Sequence, residues 1–183
     1  MTLICFLLFE FFSFIPHKNR NTKEKVVMDK RIIIYPNPIL LAKSQPVEEI
    51  DQTSRDTLDE MVRIMVAHKG IGLAAPQIGI SQRLITVMAN SRLYQVVNPQ
   101  ITWQNGKQSD VEGCLSIPNE HYEVNRAKEV VLQGLNPEGK EICVLVSNLL
   151  ARVFQHEIDH LDGILINSKG KRYENESTAG ASY

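Results

Sequence analysis

Near its C-terminus the chain carries Gln155-His156-Glu157-Ile158-Asp159-His160, two imidazoles four positions apart with a carboxylate directly after the first. Residues four apart share one face of a helix, so His156 and His160 can aim both rings at one point with Glu157 beside them. In this HExxH arrangement the histidines bind a divalent metal and the glutamate manages a proton of the water that the metal activates. Such a site needs a third protein donor. The extension HExxHxxGxxH has Gly163 in place but Ile166 where the third histidine belongs, which argues against that class. A downstream carboxylate is offered by Glu174 or Glu176, neither on a recognisable second helix. Upstream, Glu112-Gly113-Cys114-Leu115-Ser116 sets a thiol beside a glycine, and a thiolate is a strong ligand for a borderline-soft ion. Alone, Cys114 would read as a small buried hydrophobe. In the company of the two histidines it is the preferred third ligand.

Periodicity outlines the elements that must bring these residues together. Residues 148–161 place Leu149, Leu150, Val153, Phe154 and Ile158 at helical spacing, with Ser147 or Asn148 to cap the start and Gly163 to end it. Residues 53–69 repeat that spacing, with Thr53 or Ser54 as cap and Gly70 past the end. Residues 32–35, 84–87 and 94–97 read as short strands, and the prolines at 36 and 38 as a turn. Residues 129–135 and 141–146 flank Asn136-Pro137-Glu138-Gly139 and predict a hairpin. Residues 70–79 form a glycine-punctuated loop in which Gly70 and Gly72 let backbone pass close to a ligand. From residue 167 the chain is polar and reads as unstructured.

With 183 residues, 43% of them hydrophobic and 22% charged, the chain can bury the core of one domain. A net charge of −1 gives no basis for a direct nucleic-acid site or an anionic-membrane surface. Cys5, Cys114 and Cys143, odd in number and irregularly spaced, argue against a disulfide framework and for a reducing compartment. Residues 3–15 are apolar apart from Glu10 and Ser13, with no Lys or Arg before them and Lys18, Arg20, Lys23 and Lys25 after them. That charge order is the reverse of a secretory signal and would suit, if anything, an uncleaved anchor. We read residues 1–27 as an extension outside the mature protein, residues 28–166 as the catalytic domain and residues 167–183 as a polar tail.

Taken together, the motifs resemble the peptide deformylases. Three signatures of that family occur in its order: Gly70-Ile71-Gly72-Leu73-Ala74-Ala75-Pro76-Gln77, then Glu112-Gly113-Cys114-Leu115-Ser116, then the QHEIDH segment at 155–160. The resemblance covers residues 31–166. It implies an α+β fold, with antiparallel strands packed around a central metal-bearing helix. It also implies removal of the N-terminal formyl group from formylmethionine of newly synthesised polypeptides. By the same resemblance Cys114, His156 and His160 hold the metal and Glu157 is the acid/base. The Gln77 side chain and the Leu115 backbone N–H stabilise the tetrahedral oxyanion. Peptide backbone pairs along Ile71 and Gly72, and the methionine side chain meets Val153. One divalent ion, Fe²⁺ or Zn²⁺, suits this donor set.

The implied partners are N-formylmethionyl nascent peptides in the cytoplasm, with ribosome contact transient at most and no stable membrane partner. The C-terminus lacks the long amphipathic helix of some members and offers only Lys169, Lys171 and Arg172. Glu112, Asp159 and Asp162 are candidates to orient the histidine rings, and Arg126 to pair with Glu112. Asn148 stands where the family usually has glycine, and Asn119 follows Ser116-Ile117-Pro118 where small or varied residues are common.

Overall fold

The computed structural model describes residues 32–89 and 91–174. The extension at residues 1–27 and the tail beyond residue 174 lie outside the described residues.

Residues 32–34 are extended but pair with no strand among the described residues. Ile33 N–H reaches Gln77 O and Tyr35 N–H reaches Ser116 O, so this stretch stitches two separate segments instead of joining a ladder. After the turn at Tyr35-Pro36 comes a single 3-10 turn, Pro38–Leu41, where the sequence predicted a turn and no helix. Helix α1 (Gln52–Ala67) begins at Asp51, whose carboxylate accepts the Ser54 N–H at 2.8 Å and the Ser54 hydroxyl at 2.9 Å. Asp51 is therefore the cap, not Thr53 or Ser54, because it satisfies donors that the first turn leaves open. The helix closes at His68, and the left-handed exit falls on Lys69 at φ 56° instead of Gly70.

The 70–79 segment holds strand β1 (Gly72–Ala74) and a 3-10 turn, Ala75–Ile78. Strands β2 (Leu84–Ala89) and β3 (Arg92–Asn105) follow as a hairpin and extend well past the short runs predicted. Strands β4 (Gln108–Cys114) and β5 (Ile117–Arg126) form another hairpin that periodicity did not announce. Strands β6 (Glu129–Leu135) and β7 (Glu141–Ser147) make the expected one, with Gly139 at φ 76° in its turn. Helix α2 (Asn148–Leu161) carries the HExxH residues. Its first residue, Asn148, sits at φ 55°, in the left-handed region that asparagine tolerates better than most L-residues. That conformation accounts for asparagine in a place where glycine is usual.

The chain then turns into α3 (Ile166–Lys169) and strand β8 (Lys171–Arg172), which pairs with β5. The expectation of an unstructured chain from residue 167 is thus corrected for residues 167–172. Leu165 and Ile166 are buried with Leu40, Ile117, Tyr122 and Val124, which anchors the segment. Gly170 allows it to lie close, since a Cβ there would stand 2.7 Å from Glu123 O.

The architecture is α+β. One antiparallel sheet runs β1-β2-β3-β6-β7 and a smaller one β4-β5-β8. Helix α2 packs Ala151, Phe154, Ile158 and Leu161 against Ile85, Val87, Val96, Val130 and Leu132 of the larger sheet. Phe154 also meets Tyr94 edge to face, 5.3 Å between centroids. Helix α1 packs Leu58, Met61, Ile64 and Met65 against Leu73, Leu84 and Val97. Beyond its apolar stripe, α2 also buries Arg152, Glu157 and His160, so it is enclosed on most sides. No helix among the described residues is long and apolar enough to cross a membrane.

Candidate metal centre and active site

One turn of α2 sets the His156 and His160 rings 5.0 Å apart between centroids. Cys114 arrives from the end of β4, where the register with β5 slips between Gly113 and Cys114. Such irregularities re-aim a side chain, and this one brings Cys114 Sγ to 3.2 Å from His160 Nε2. Ligand atoms of Cys114, His156 and His160 all lie within 4.8 Å of one another. One sulfur and two imidazole nitrogens at this spacing fit a divalent, borderline-soft ion. Two buried polar atoms of the same cluster, Glu157 Oε2 and His160 Nδ1, have no protein hydrogen bond. Glu174, a rival donor by sequence, is exposed, and Glu176 lies outside the described residues.

The ring of His156 is held from behind, its Nδ1 lying 2.9 Å from Glu112 Oε2. Glu112 is itself gripped by Arg126 through Nε and Nη2 at 2.5 and 2.8 Å and by Arg152 Nη1 at 2.6 Å. All three side chains are buried. Arg126 Nη1 donates to Asp159 Oδ2 at 2.7 Å, and Lys169 Nζ reaches both Asp159 oxygens. The expected Arg126–Glu112 pair is therefore present, and Glu112 is the carboxylate that meets a histidine. Asp159 is two contacts further out, behind Arg126. Asp162 does not join them; it binds Arg83 at 2.7 Å. Arg152 was missed by sequence reasoning. Its only signal is a cation inside an apolar helical stripe, four residues before His156.

Charge states follow from these surroundings. Burial opposes ionisation of Glu112, but hydrogen bonds from Arg126 and His156 prevail and hold its carboxyl well below the usual carboxylate range. Burial lifts Glu157 to about 7, with the positive charges of His156 and Arg126 pulling the other way. Burial also works against charging His156, yet contacts with Cys114 and Glu112 and the charge of Glu157 raise it to about 10. A proton on that ring and a cation compete for one place, so metal binding releases protons. His160 is pushed well below its ordinary value, by burial first and His156 second, which keeps its ring neutral.

A cleft of about 420 Å³ opens over this cluster. Apart from the buried His160, every site residue expected from the sequence borders it: Ile71, Gly72, Gln77, Cys114, Leu115, Val153, His156 and Glu157. Gln77 is pinned in its 3-10 turn, its Oε1 accepting Ala74 N–H at 2.8 Å. Its Nε2 faces Ser116 Oγ at 3.3 Å and Cys114 Sγ at 3.8 Å. Gly72 lies so close to α2 that a Cβ would strike Glu157 Oε1 and stand 2.8 Å from Val153 Cγ1. Glycine is what lets β1 pass the helix there. Val153 serves the apolar core as well as the cleft wall.

Comparison with known proteins gives a consistent picture. The family model described as polypeptide deformylase matches residues 29–176. The peptide deformylase of Syntrophomonas wolfei is 48% identical over 139 residues, 76% of this chain and 91% of that protein. That of Carboxydothermus hydrogenoformans is 45% identical over 139 residues, with the same coverage of 76% and 91%. Among solved structures, the peptide deformylase from Thermotoga maritima superposes with a TM-score of 0.76 at 35% identity, covering 78% of this chain and 97% of that one. That from Thermus thermophilus gives 0.72 at 43% identity, covering 75% and 83%. With a family model spanning well over half of its length and relatives of this identity, the chain belongs to the polypeptide deformylase family.

Proposed function

We infer that this protein is a metal-dependent hydrolase that removes the N-terminal formyl group from formylmethionine of newly synthesised polypeptides. The observation that carries the reading is the meeting of Cys114, His156 and His160 beside Glu157 at a cleft bordered by an exposed strand edge. Cys114, His156 and His160 hold the metal, which is Fe²⁺ or Zn²⁺. When bound, it supplies Lewis acidity and lowers the pKa of water toward neutrality.

The chain's own residues do the rest. Glu157, raised to about 7, takes a proton from the attacking water and returns it to the departing amine, so water and formamide become formate and a free N-terminus. Gln77 Nε2 and the Leu115 N–H donate to the oxygen that becomes negative as the formyl carbon turns tetrahedral; one such donor is worth about 2.7–4 kcal/mol of barrier. Peptide backbone lies along Ile71 and Gly72 as a strand added to β1, the edge of the larger sheet. Recognition by main-chain bonds leaves later residues of the substrate free to vary. Val153 contacts the methionine side chain. The reaction takes place in the cytoplasm on nascent chains, with ribosome contact transient at most.

Formate release from formyl-Met-Ala-Ser tests the activity. Turnover by the parent, loss in Glu157→Gln with metal retained, and loss of metal in Cys114→Ala are the expected results. A parent that holds metal but releases no formate refutes the reading.

A further inference from the structure

We propose that Asp159 and Lys169 are positioning residues for the metal centre, acting through Arg126 and Glu112 on the ring of His156. The proposal rests on the reading of Cys114, His156 and His160 as ligands. Its basis is a closed circuit of contacts. His156 Nδ1 meets Glu112 Oε2, Arg126 holds both Glu112 oxygens, and the remaining arm of Arg126 ends on Asp159 at 2.7 Å. Asp159 lies three residues beyond His156, so the circuit starts and finishes on one turn of α2.

A guanidinium is a rigid planar fork. Fixing Arg126 Nη1 on Asp159 therefore fixes the plane in which Nε and Nη2 present themselves to Glu112, and with it the direction from which Glu112 holds the imidazole. Gln155 reinforces the hold. Its side chain accepts Ala127 N–H at 3.0 Å and donates to Ala127 O at 2.9 Å, pinning the residue that follows Arg126.

Asp159 retains 15% side-chain exposure and could rotate toward solvent. Lys169 Nζ, at 2.6 and 2.7 Å from its two oxygens, keeps it turned inward. An ion pair this exposed adds little to stability by itself. Its effect is to fix an orientation that is then transmitted. Lys169 can do this because Leu165 and Ile166 are buried and β8 is paired to β5, which anchors α3 on both sides. The segment that periodicity left unstructured thus reaches a metal ligand through four polar contacts.

The test is zinc affinity of the full chain, measured by competition with a chromophoric chelator, alongside the urea midpoint of the metal-free forms. Asp159→Asn is expected to weaken zinc binding about tenfold, and Lys169→Met, one contact further out, about threefold. Lys169→Arg should restore the parent value. The double variant should bind no more weakly than Asp159→Asn, as expected for two members of one path. A purely structural role would lower the urea midpoint and leave zinc affinity unchanged, and that result overturns the proposal. So does a Lys169→Met loss that arginine does not repair. Because Lys169 is on the surface, the Met and Arg pair decides the matter even if Asp159→Asn does not fold. A parent that binds zinc no better than Cys114→Ala overturns the ligand reading and the proposal together. A tight-binding parent matched by Lys169→Met overturns the proposal alone.

Discussion

Gly72→Ala probes the approach of β1 to the catalytic helix. The added methyl would strike Glu157 Oε1 and stand 2.8 Å from both Glu157 Cδ and Val153 Cγ1. Ordinary van der Waals contact begins at 3.4 Å, so strand and side chains must part by about 0.6 Å at Glu157 Cδ and Val153 Cγ1 and by more at Glu157 Oε1. Val153 is packed among Ile85, Val96 and Phe154 and has little room to retreat, whereas Glu157 borders the cleft. The carboxylate is therefore the group that moves. A misplacement approaching 1 Å at a reacting group costs about 10²-fold in rate. Overpacking adds about 1–3 kcal/mol of destabilisation. Steady-state formate release should show kcat/KM lower by about two orders of magnitude, mostly in kcat. Zinc content and affinity should stay at parent values, since the three atoms nearest the added methyl belong to Glu157 and Val153 and not to Cys114, His156 or His160. A Gly72→Ala protein within threefold of the parent, or one that loses metal, would refute the reasoning.

Three further outcomes are expected. Phe154→Ala, at a fully buried side chain, should cost about 3–5 kcal/mol in urea unfolding. Glu112→Gln leaves the buried Arg126 and Arg152 without their shared carboxylate, and metal-free unfolding should show a loss of about 3–5 kcal/mol. The Asp51 carboxyl is held below its ordinary value, chiefly by the Ser54 backbone N–H. Its advantage over Asp51→Ala should be complete above the unfolded-state value and fade as pH falls through the lower folded value, as read from paired urea titrations at several pH values.

What the sequence discloses about this molecule divides along physical lines. Helix α2 and the β6–β7 hairpin were legible because apolar spacing and turn chemistry are local. The gathering of Cys114 with His156 and His160 was legible because HExxH leaves few options for a third donor. Strands β4 and β5 were not, for Gln108-Ser109-Asp110 and Asn119-Glu120-His121 have neither apolar alternation nor β-branched enrichment. Their pairing is fixed by tertiary context, including Glu112 turned inward to two arginines. Arg152 was invisible for a related reason, since its carboxylate partner is forty residues away. The Asp51 cap was misplaced by two or three residues because Asp51, Thr53 and Ser54, within four positions of one another, all have cap chemistry and only the backbone selects one. The structure of residues 167–172 escaped notice because two buried side chains just before them, Leu165 and Ile166, anchor a segment that is otherwise polar.

The ions around Glu112 also govern how the junction between α2 and the smaller sheet responds to its environment. Oily surfaces can slide past one another, whereas Arg126 and Arg152 fit their carboxylates in one orientation only. Enclosed pairs feel dissolved salt far less than exposed ones, so brine should not loosen this seam. The cost of stripping water from charge falls on warming. Heated gradually, the enzyme should therefore keep its catalytic pocket in shape until the whole domain gives way.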